Sequence, residues 1–410
     1  MTCTRRIFLK RSALLGSAAM ILPGLRAAMA APGASPRKLV LIDLRGGNDG
    51  LNMVVPYGVN GGAYYTEFRP TLNVASGSVL QVGGGCGLNP TMTALKSQFD
   101  AGRLAVIPGV SYPDPSFSHE VATDVWATGS LSYDFSEGWL ARSLDQFAVP
   151  TFPSALDVDE SVTSVLRGRD AFVPSFTSIS QMKYPTDSSH PEDKVARRVA
   201  YQAIASGLVS GVGATATMST TIGGMLGLID TLQSIPQYAY VGTYPDHWFA
   251  KQMKMVARLL NANLGLDVYH VMLGGWDTHS DQELDGYHSL RLGILSDTIG
   301  AFYADLVNLG IDDDTVIVVY SEFGRTVYQN GSNGTDHGTV NPVFVLGGAV
   351  NGGLIVPHPA MDPGALDEHG ELTRSVDFRD VFGTIADRWL GANVAQVFPG
   401  HTYGAMNFLP

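Results

Sequence analysis

Acidic, amide and histidine side chains follow three apolar runs of the sequence within a few residues. They are Asn48 and Asp49 after the first run, Asp277 and His279 after the second, and Glu322 after the third. The carboxyl ends of parallel strands meet at one edge of an open α/β sheet, so we expect these side chains to lie close together. Carboxylates and imidazoles are groups that hold divalent cations in proteins. The pattern therefore predicts a metal site built from Asp49 (or its neighbour Asn48), Asp277, His279 and Glu322.

The spacing of Asp277 and His279 is compatible with this site. Residues two apart share one face of an extended segment, and in a loop both can reach a common centre. Two glycines precede this pair and two more precede Asn48, and glycine lets the backbone approach a ligand closely. Taken alone, such a pair is more often an ordinary surface pair. The acids after the other two runs are what favour a metal site.

Asp336 and His337 lie where a turn-forming stretch, residues 330–338, gives way to an apolar, β-branched run. If the loop returns to the same sheet edge, His337 could ligate a metal through one ring nitrogen while Asp336 or a carbonyl holds the other. Asp336 is also a candidate ligand itself. The alternative is a turn-capping aspartate beside an ordinary loop histidine, and the local residues alone favour that alternative.

Ser118 and Arg325 are the candidates for direct contact with a substrate. Ser118 precedes a helical pattern, so it is either a helix cap or, when activated by a metal, a nucleophile at the anion-binding end of the helix. Arg325 could bind anionic oxygens in a bidentate manner, or it could be a plain surface ion-pair partner. From spacing alone, capping is the better interpretation of Ser118.

The order of apolar runs predicts an α/β domain. Short runs that end in glycine or polar residues predict strands at 39–44, 104–107, 268–273, 315–320 and 343–346. Helical patterns lie between them, at 90–101, 120–126, 194–205, 220–233, 247–263, 282–309 and 376–390. Most of the runs are continuously apolar, as expected of strands covered on both sides. We therefore predict a mostly parallel central sheet with helices on both faces.

Residues 1–30 have the features of a twin-arginine signal peptide. Arg5 and Arg6 precede a short apolar stretch, and Ala28-Met29-Ala30 has the small-x-small form of a cleavage site. The apolar stretch is short for a bilayer, which needs about 20 residues, so we expect no stable membrane span. The interpretation predicts export through the twin-arginine translocase to the periplasm or the cell exterior.

Composition restricts the possible partners of the mature chain, residues 31–410. Removal of the signal leaves 21 basic against 38 acidic residues, a net charge of −17, which argues against a nucleic-acid partner. Cys86 is the sole remaining cysteine, so an intramolecular disulfide and a thiolate zinc site are both excluded.

The length of the mature chain fits a single large domain. An irregular insertion is predicted around 150–220, where no clear periodicity is seen.

Five segments together resemble the domain of unknown function 1501 family of exported bacterial proteins. They read RGGNDGLNMVVPY, SFSHEVATDVWATG, GGWDTHSDQ, YSEFGRTVYQNGSNGTDHGTVNPVFVLGG and DFRDVFGTIADRWLG, and they span essentially the whole mature chain. That family is similar in fold to the alkaline phosphatase and sulfatase superfamily. The resemblance implies an alkaline-phosphatase-like domain with divalent metals at strand ends and hydroxyl attack on phosphate or sulfate esters.

The resemblance also assigns roles to individual residues. It implies that Asp49 or Asn48 is the first ligand and Ser118 the nucleophile. Asp277 and His279 would be the acid and histidine ligand pair, and His337 the last histidine ligand. The sequence departs from the superfamily pattern at two places, and both bear on how many metals the site would hold. Glu322-Phe323 stands where the superfamily has Asp-His, and Asp277-x-His279 replaces a wider spacing of acid and histidine.

These considerations give a functional hypothesis and one alternative. The hypothesis is an exported metal-dependent hydrolase of phosphate, sulfate or phosphonate esters, in which Ser118 or a metal-bound water attacks. Zinc is the first candidate metal, followed by manganese, calcium and magnesium, and the substrate would be a small anionic ester or a sulfated or phosphorylated glycan. The alternative is a catalytically degenerate relative that binds a glycan or an exported protein.

Overall fold

The structure is a computed structural model. It describes residues 36–58, 61–147, 153–183, 190, 193–208 and 214–410. The predicted signal peptide, residues 1–30, lies outside the described residues. Within them, no helix is both long enough and apolar enough to cross a membrane.

Strands and helices alternate along the chain. The strands are β1 (Lys38–Asp43), β2 (Val54–Pro56), β3 (Leu80–Gly83), β4 (Cys86–Leu88), β5 (Leu104–Ser111), β6 (Ala155–Val158), β7 (Val268–Met272), β8 (Thr315–Tyr320), β9 (Gly324–Arg325), β10 (His337–Gly338), β11 (Asn341–Leu346), β12 (Gly353–Leu354) and β13 (Val376–Asp377). The α-helices are α1 (Gly50–Met53), α2 (Gly62–Phe68), α3 (Thr93–Asp100), α4 (His119–Thr128), α5 (Trp139–Asp145), α6 (Lys194–Leu208), α7 (Ala214–Ser234), α8 (Trp248–Ala262), α9 (Tyr287–Leu309), α10 (Phe378–Thr384) and α11 (Val394–Val397). Short 3₁₀ turns lie at Ser164–Leu166, Ile179–Gln181 and Leu284–Gly286, and a π-helical turn at Ile385–Trp389 extends α10.

The central sheet has the strand order β12-β5-β11-β8-β1-β7-β6, and β13 also pairs with β5. β1 is paired in parallel with β7 and β8 on its two sides, so the segments after these three strands leave the sheet together. Pairings of β6 with β7, and of β12 and β13 with β5, are also parallel. Only β11 runs antiparallel among these, between β5 and β8. Two small sheets, β2-β4-β3 and β9-β10, flank it.

Side chains that alternate along β1 enter two different cores. Val40 and Ile42 pack with α3, α7, α8 and α9 on one face of the sheet. Leu39 and Leu41 pack with α4, α5, α10 and α11 on the other. All four side chains have 0% exposure, so apolar burial on both faces explains why the run is continuous and not alternating.

The predicted α/β domain with a mostly parallel sheet covered on both faces is confirmed. The five predicted main strands are all present, and Thr315–Tyr320 has the predicted bounds. The predicted irregular insertion contains a regular part, because Ala155–Val158 forms β6 at the sheet edge and α6 and α7 follow it. A four-residue strand is too short to produce a clear periodicity in the sequence.

Candidate metal centre

Five segments of the chain meet at the edge of the sheet where β1, β7 and β8 end. Three of them are the loops that follow these strands, which carry Gly46-Gly47, Asp277 to His279, and Glu322-Phe323. The fourth is the beginning of α4. The fifth is the β9–β10 hairpin, in which His337 pairs with Arg325. The hairpin thus returns His337 to the edge, which is the condition that the sequence analysis set for a ligand role.

His119, Asp277 and His337 each direct one potential ligand atom to a common point. These atoms all lie within 4.8 Å of one another. His279 adjoins the group: its Nε2 lies 3.1 Å from Asp277 Oδ1 and 2.9 Å from His337 Nε2. Two imidazoles and a carboxylate at this separation could hold a divalent cation, with His279 beside them.

Each of the three imidazoles is held in the same way. Nδ1 contacts an oxygen acceptor, while Nε2 faces the cluster. The contacts are His119 with Glu322 Oε1 at 2.8 Å, His279 with Asp336 Oδ1 at 2.8 Å, and His337 with the Phe117 carbonyl at 2.6 Å. An acceptor on the remote nitrogen fixes the ring and is the usual arrangement around metal-binding histidines.

His119 Nε2 is the atom that fits a cation most directly. It is buried and has no hydrogen-bond partner, although Asp277 Oδ2 lies 3.5 Å away. A buried polar atom without a partner costs free energy, and a ligand that it binds would remove this cost. The residues present therefore fit a divalent cation, with His119, Asp277 and His337 as the ligand set.

Arg325 braces the loops around Asp277. Its guanidinium is fully buried and donates to Asp277 Oδ1 at 2.7 Å. The remaining hydrogen bonds go to backbone carbonyls of the neighbouring loops, namely Gly46, Gly47, Trp276 and Thr335. The sequence analysis expected Arg325 to bind substrate oxygens or to lie at the surface. The structure differs from both expectations, because burial and these acceptors commit the side chain to positioning Asp277.

Phe323 forms an apolar floor under two of the imidazoles. Its ring centroid lies 4.8 Å from that of His119 and 4.5 Å from that of His337, and its exposure is 1%. Gly47 permits this packing: it has φ of 70°, and a Cβ there would lie 2.2 Å from Phe323. The aromatic residue at this position therefore orients the two histidines and supplies no ligand atom of its own.

The local electrostatics favour bound cations. Burial alone would raise the pKa of Asp277, but the hydrogen bond and charge of Arg325 outweigh it and lower the pKa. Burial also opposes ionisation of Glu322, whose pKa is nevertheless lowered by hydrogen bonds from His119 and nearby backbone N–H groups. Burial lowers the pKa of His337, whereas the hydrogen bond to Glu322 raises that of His119. Because a metal binds the neutral imidazole, metal binding would compete with protonation of His119.

The structure places Asn48 and Asp49 outside this ligand set, contrary to the expectation from their position after β1. Asp49 is fully buried in an ion pair with Arg69 at 2.6 Å, and Gln282 donates to it as well. Asn48 is bonded to Asn341 and His288. Asp49 Oδ2 and the Asn48 amide already have partners far from His119, Asp277 and His337, which corrects the prediction that one of these two residues is a first-strand ligand.

Glu322 and Asp336 contact the Nδ1 atoms of His119 and His279, on the side of each ring that faces away from the cluster. Glu322 accepts from Gly46 N–H at 2.8 Å and from the Ser321 hydroxyl at 3.0 Å, besides its contact with His119. Asp336 accepts from Asn330 at 3.2 Å in addition to binding His279. Their predicted role as ligands is thus replaced by a role in orienting imidazoles.

Ser118 occupies the N-cap position of α4, between two groups that contact the cluster. The Phe117 carbonyl binds His337, and His119 is a ligand candidate. Ser118 is exposed and its hydroxyl makes no capping hydrogen bond. The capping interpretation is therefore not supported by a bond, and the nucleophile assignment stays a prediction.

Sequence reasoning did not select His119. The residue follows Ser118 in the segment SFSHE. Ser118 was considered there as a helix cap or nucleophile, and the neighbouring imidazole was not considered as a ligand. A usable signal was present, since a helix that begins soon after a core strand presents its first turn to the sheet edge.

These features define an α/β protein with a candidate metal centre at the edge of its sheet. The chain belongs to the family described as "Protein of unknown function (DUF1501)", whose model matches residues 107–407. Among curated proteins, steryl-sulfatase of Rattus norvegicus is 31% identical over 116 residues, which are 28% of this chain and 20% of that protein. The chain thus matches about a fifth of that relative's length.

Two solved structures show low similarity over most of the chain. The C-terminal periplasmic domain of EcEptC from Escherichia coli, in complex with Zn, has 12% identity and a TM-score of 0.41, covering 92% of this chain and 90% of that one. The PsFucS1 sulfatase from Pseudoalteromonas sp. has 11% identity and a TM-score of 0.38, covering 94% and 77%. At these values neither similarity identifies an activity.

Proposed function

We propose that the chain is an exported metal-dependent hydrolase of phosphate, sulfate or phosphonate esters. The observation that supports the proposal most is the convergence of His119, Asp277 and His337 at a sheet edge, with the remote nitrogens of both histidines already held by acceptors. A plain surface cluster of histidines gives no reason for anchored rings and a buried nitrogen without a partner.

A divalent cation bound by these residues would polarise the ester oxygens and offset the negative charge that develops in the transition state. The chain's own groups then have distinct tasks. Arg325 keeps Asp277 ionised and in place, and Glu322 holds the ring of His119. Attack by the exposed Ser118 hydroxyl or by a water would occur at the amino end of α4, where backbone N–H groups favour an anionic ester.

The first experiment combines metal content with turnover. Purified mature protein, assayed with aryl phosphate and aryl sulfate esters, is expected to contain a divalent metal, with zinc as the first candidate. It is also expected to lose turnover on chelation. His337→Ala should lose metal and turnover together while it keeps its circular dichroism spectrum.

His369→Ala is the matched control, because that imidazole is 69% exposed and lies outside the ligand set. The control should keep metal and activity at the level of the unmodified protein. A folded protein without any bound divalent metal would refute the proposal. Metal without turnover on any ester, combined with retained binding of a glycan or protein, would support the catalytically degenerate alternative.

A further inference from the structure

A second groove of about 690 Å³ lies along α8 and is separate from the metal cluster. One wall is α8 from Trp248 to Arg258, and the other contains the hydroxyl-rich segment Thr177–Ser180. Gln233, near the end of α7, and Tyr240 also line the groove.

The charge of this groove is opposite to that of the protein. Lys251, Lys254 and Arg258 line it, and no aspartate or glutamate is among its described lining residues. The whole chain carries 38 acidic against 26 basic residues. The three cations are three and four residues apart on α8, a spacing that places them on one face of the helix. A local positive strip on an acidic protein indicates an anionic ligand.

The ammonium groups of this strip remain available to a ligand. Lys251 pairs with Asp246 at 3.0 Å, but both side chains are strongly exposed, at 72% and 92%, so solvent screens the pair. Lys254 lies over the rings of Tyr240 and Tyr244, at 5.4 and 5.2 Å from their centroids. Such contacts position the ammonium without neutralising its charge. Arg258 instead uses its guanidinium to hold two backbone carbonyls.

Aromatic surface accompanies these charges. Trp248 is 45% exposed at the first turn of α8, and Tyr240 lines the groove beside Lys254. Exposed indole and phenol rings offer flat apolar faces with a polar edge, which suit the faces of sugar rings as well as other amphipathic groups. Cations next to aromatic faces thus fit a ligand that is both ring-shaped and anionic.

The groove lies beside the carboxyl end of β6, the outer strand of the central sheet. Gln252 donates to the carbonyl of Val158, the last residue of β6. His247 is the N-cap of α8, and burial together with the charge of Arg291 lowers its pKa. Arg291 donates to the carbonyl of Gly274 at 2.8 Å. Gly274 belongs to the loop that contains Asp277. A polymeric ligand in the groove could therefore extend toward the cluster.

We propose that the α8 groove binds a sulfated or phosphorylated glycan chain through Lys251, Lys254 and Trp248. The choice of ligand rests on the proposed ester hydrolase, because a polymer held here would present its anionic esters near the metal cluster. Binding in the groove requires no metal ligand, so it is measured independently of turnover.

The test is calorimetric titration of the mature protein with a sulfated glycan oligosaccharide, with its desulfated counterpart and with a single-stranded oligonucleotide of equal charge. Only the sulfated glycan should bind, and its affinity should fall as salt rises. The Lys251→Glu/Lys254→Glu variant should bind on the order of tenfold more weakly or worse. Trp248→Ala should also weaken binding.

The matched control reverses two exposed charges elsewhere, Arg167→Glu and Arg169→Glu, and should bind like the unmodified protein. Hydrolysis of a small aryl ester should be unchanged in the Lys251/Lys254 variant. Three results would overturn the inference without affecting the proposed hydrolase. They are an equal loss of binding in the control, binding of the desulfated glycan, and tighter binding of the oligonucleotide. Retained glycan binding without hydrolysis of any ester would instead refute the proposed function and leave the groove assignment standing.

Discussion

Two aspartates that follow neighbouring parallel strands have opposite environments. Asp277, after β7, is 48% exposed and surrounded by imidazoles, one of which has a nitrogen without a partner. Asp49, after β1, is fully buried and ion-paired with Arg69, with a further bond from Gln282. Residue type and position at a strand end are therefore insufficient to identify a ligand. Each aspartate is already paired with a buried arginine, so what distinguishes Asp277 is that ring nitrogens of His119 and His337 converge on it.

The first prediction concerns the buried region. Arg69→Met leaves Asp49 without its counter-charge in a buried site, so we expect a loss of roughly 3–5 kcal/mol in the free energy of unfolding. Urea denaturation would measure it. Metal content per folded molecule should be unchanged, because Arg69 is not among the groups of the cluster. A loss below about 1 kcal/mol would mean that the pair behaves like a surface pair.

The second prediction for this buried region concerns Glu371 and the pH dependence of the free energy of unfolding. Burial raises the pKa of Glu371 from 4.5 to about 8, and the charge of Arg69 opposes this only in part. The folded state thus holds the proton more strongly than the unfolded state. Its contribution to stability is complete below pH 4.5 and is lost as the pH rises through about 8.

Glu371→Gln should remove this pH dependence, because a neutral amide replaces the protonated carboxyl. At pH 9, above the folded-state pKa, we expect the variant to be more stable than the unmodified protein by as much as about 5 kcal/mol, at about 1.4 kcal/mol per pKa unit. At pH 4 the two should be nearly equal. Parallel stability–pH curves from thermal melts would contradict the assignment.

At the metal cluster, Glu322→Gln tests whether Glu322 orients His119. The variant should reduce metal affinity and kcat/KM by about 10–100-fold, as expected when an outer partner of a metal-binding histidine is replaced. Titration with zinc and a pH profile of turnover would measure both. Loss of all bound metal would show that Glu322 is itself a ligand, and an unchanged pH profile would show that it does not act through His119.

The smallest expected effect concerns the cap of α4. A lost N-cap bond usually costs about 1 kcal/mol, but Ser118 makes none, so Ser118→Ala should change stability by less than about 0.5 kcal/mol. Turnover of the same variant decides which group attacks: abolished kcat assigns attack to the hydroxyl, and retained kcat assigns it to water. A large stability loss would show that Ser118 is structural.

Much of the fold follows directly from the sequence. Continuous apolar runs such as Thr315–Tyr320 record burial on both faces of a sheet, which is a local property. The antiparallel direction of β11 was not predicted, because strand direction depends on pairing between segments distant in the chain. The four-residue strand β6 was not predicted, because it is too short to give a clear periodicity in the sequence.

The candidate site was predicted only in part for the same reason. The placement of Asp277 and His279 at the sheet edge follows from strand-end positions, whereas the turn-rich loop before β10 left two interpretations of His337 open. The roles of Asp49 and Arg325 could not be predicted, because they depend on Arg69 and on carbonyls from several loops, which the sequence does not place nearby. His119 was missed because the residue before it offered a familiar capping interpretation.

The proposed hydrolase depends on a divalent cation bound by His119, Asp277 and His337. The most direct measurement is anomalous X-ray diffraction from crystals of the mature protein grown with zinc. We expect an anomalous difference peak for zinc about 2.0–2.2 Å from His119 Nε2, His337 Nε2 and an oxygen of Asp277. A map without a peak there, or with zinc bound only elsewhere, would contradict it.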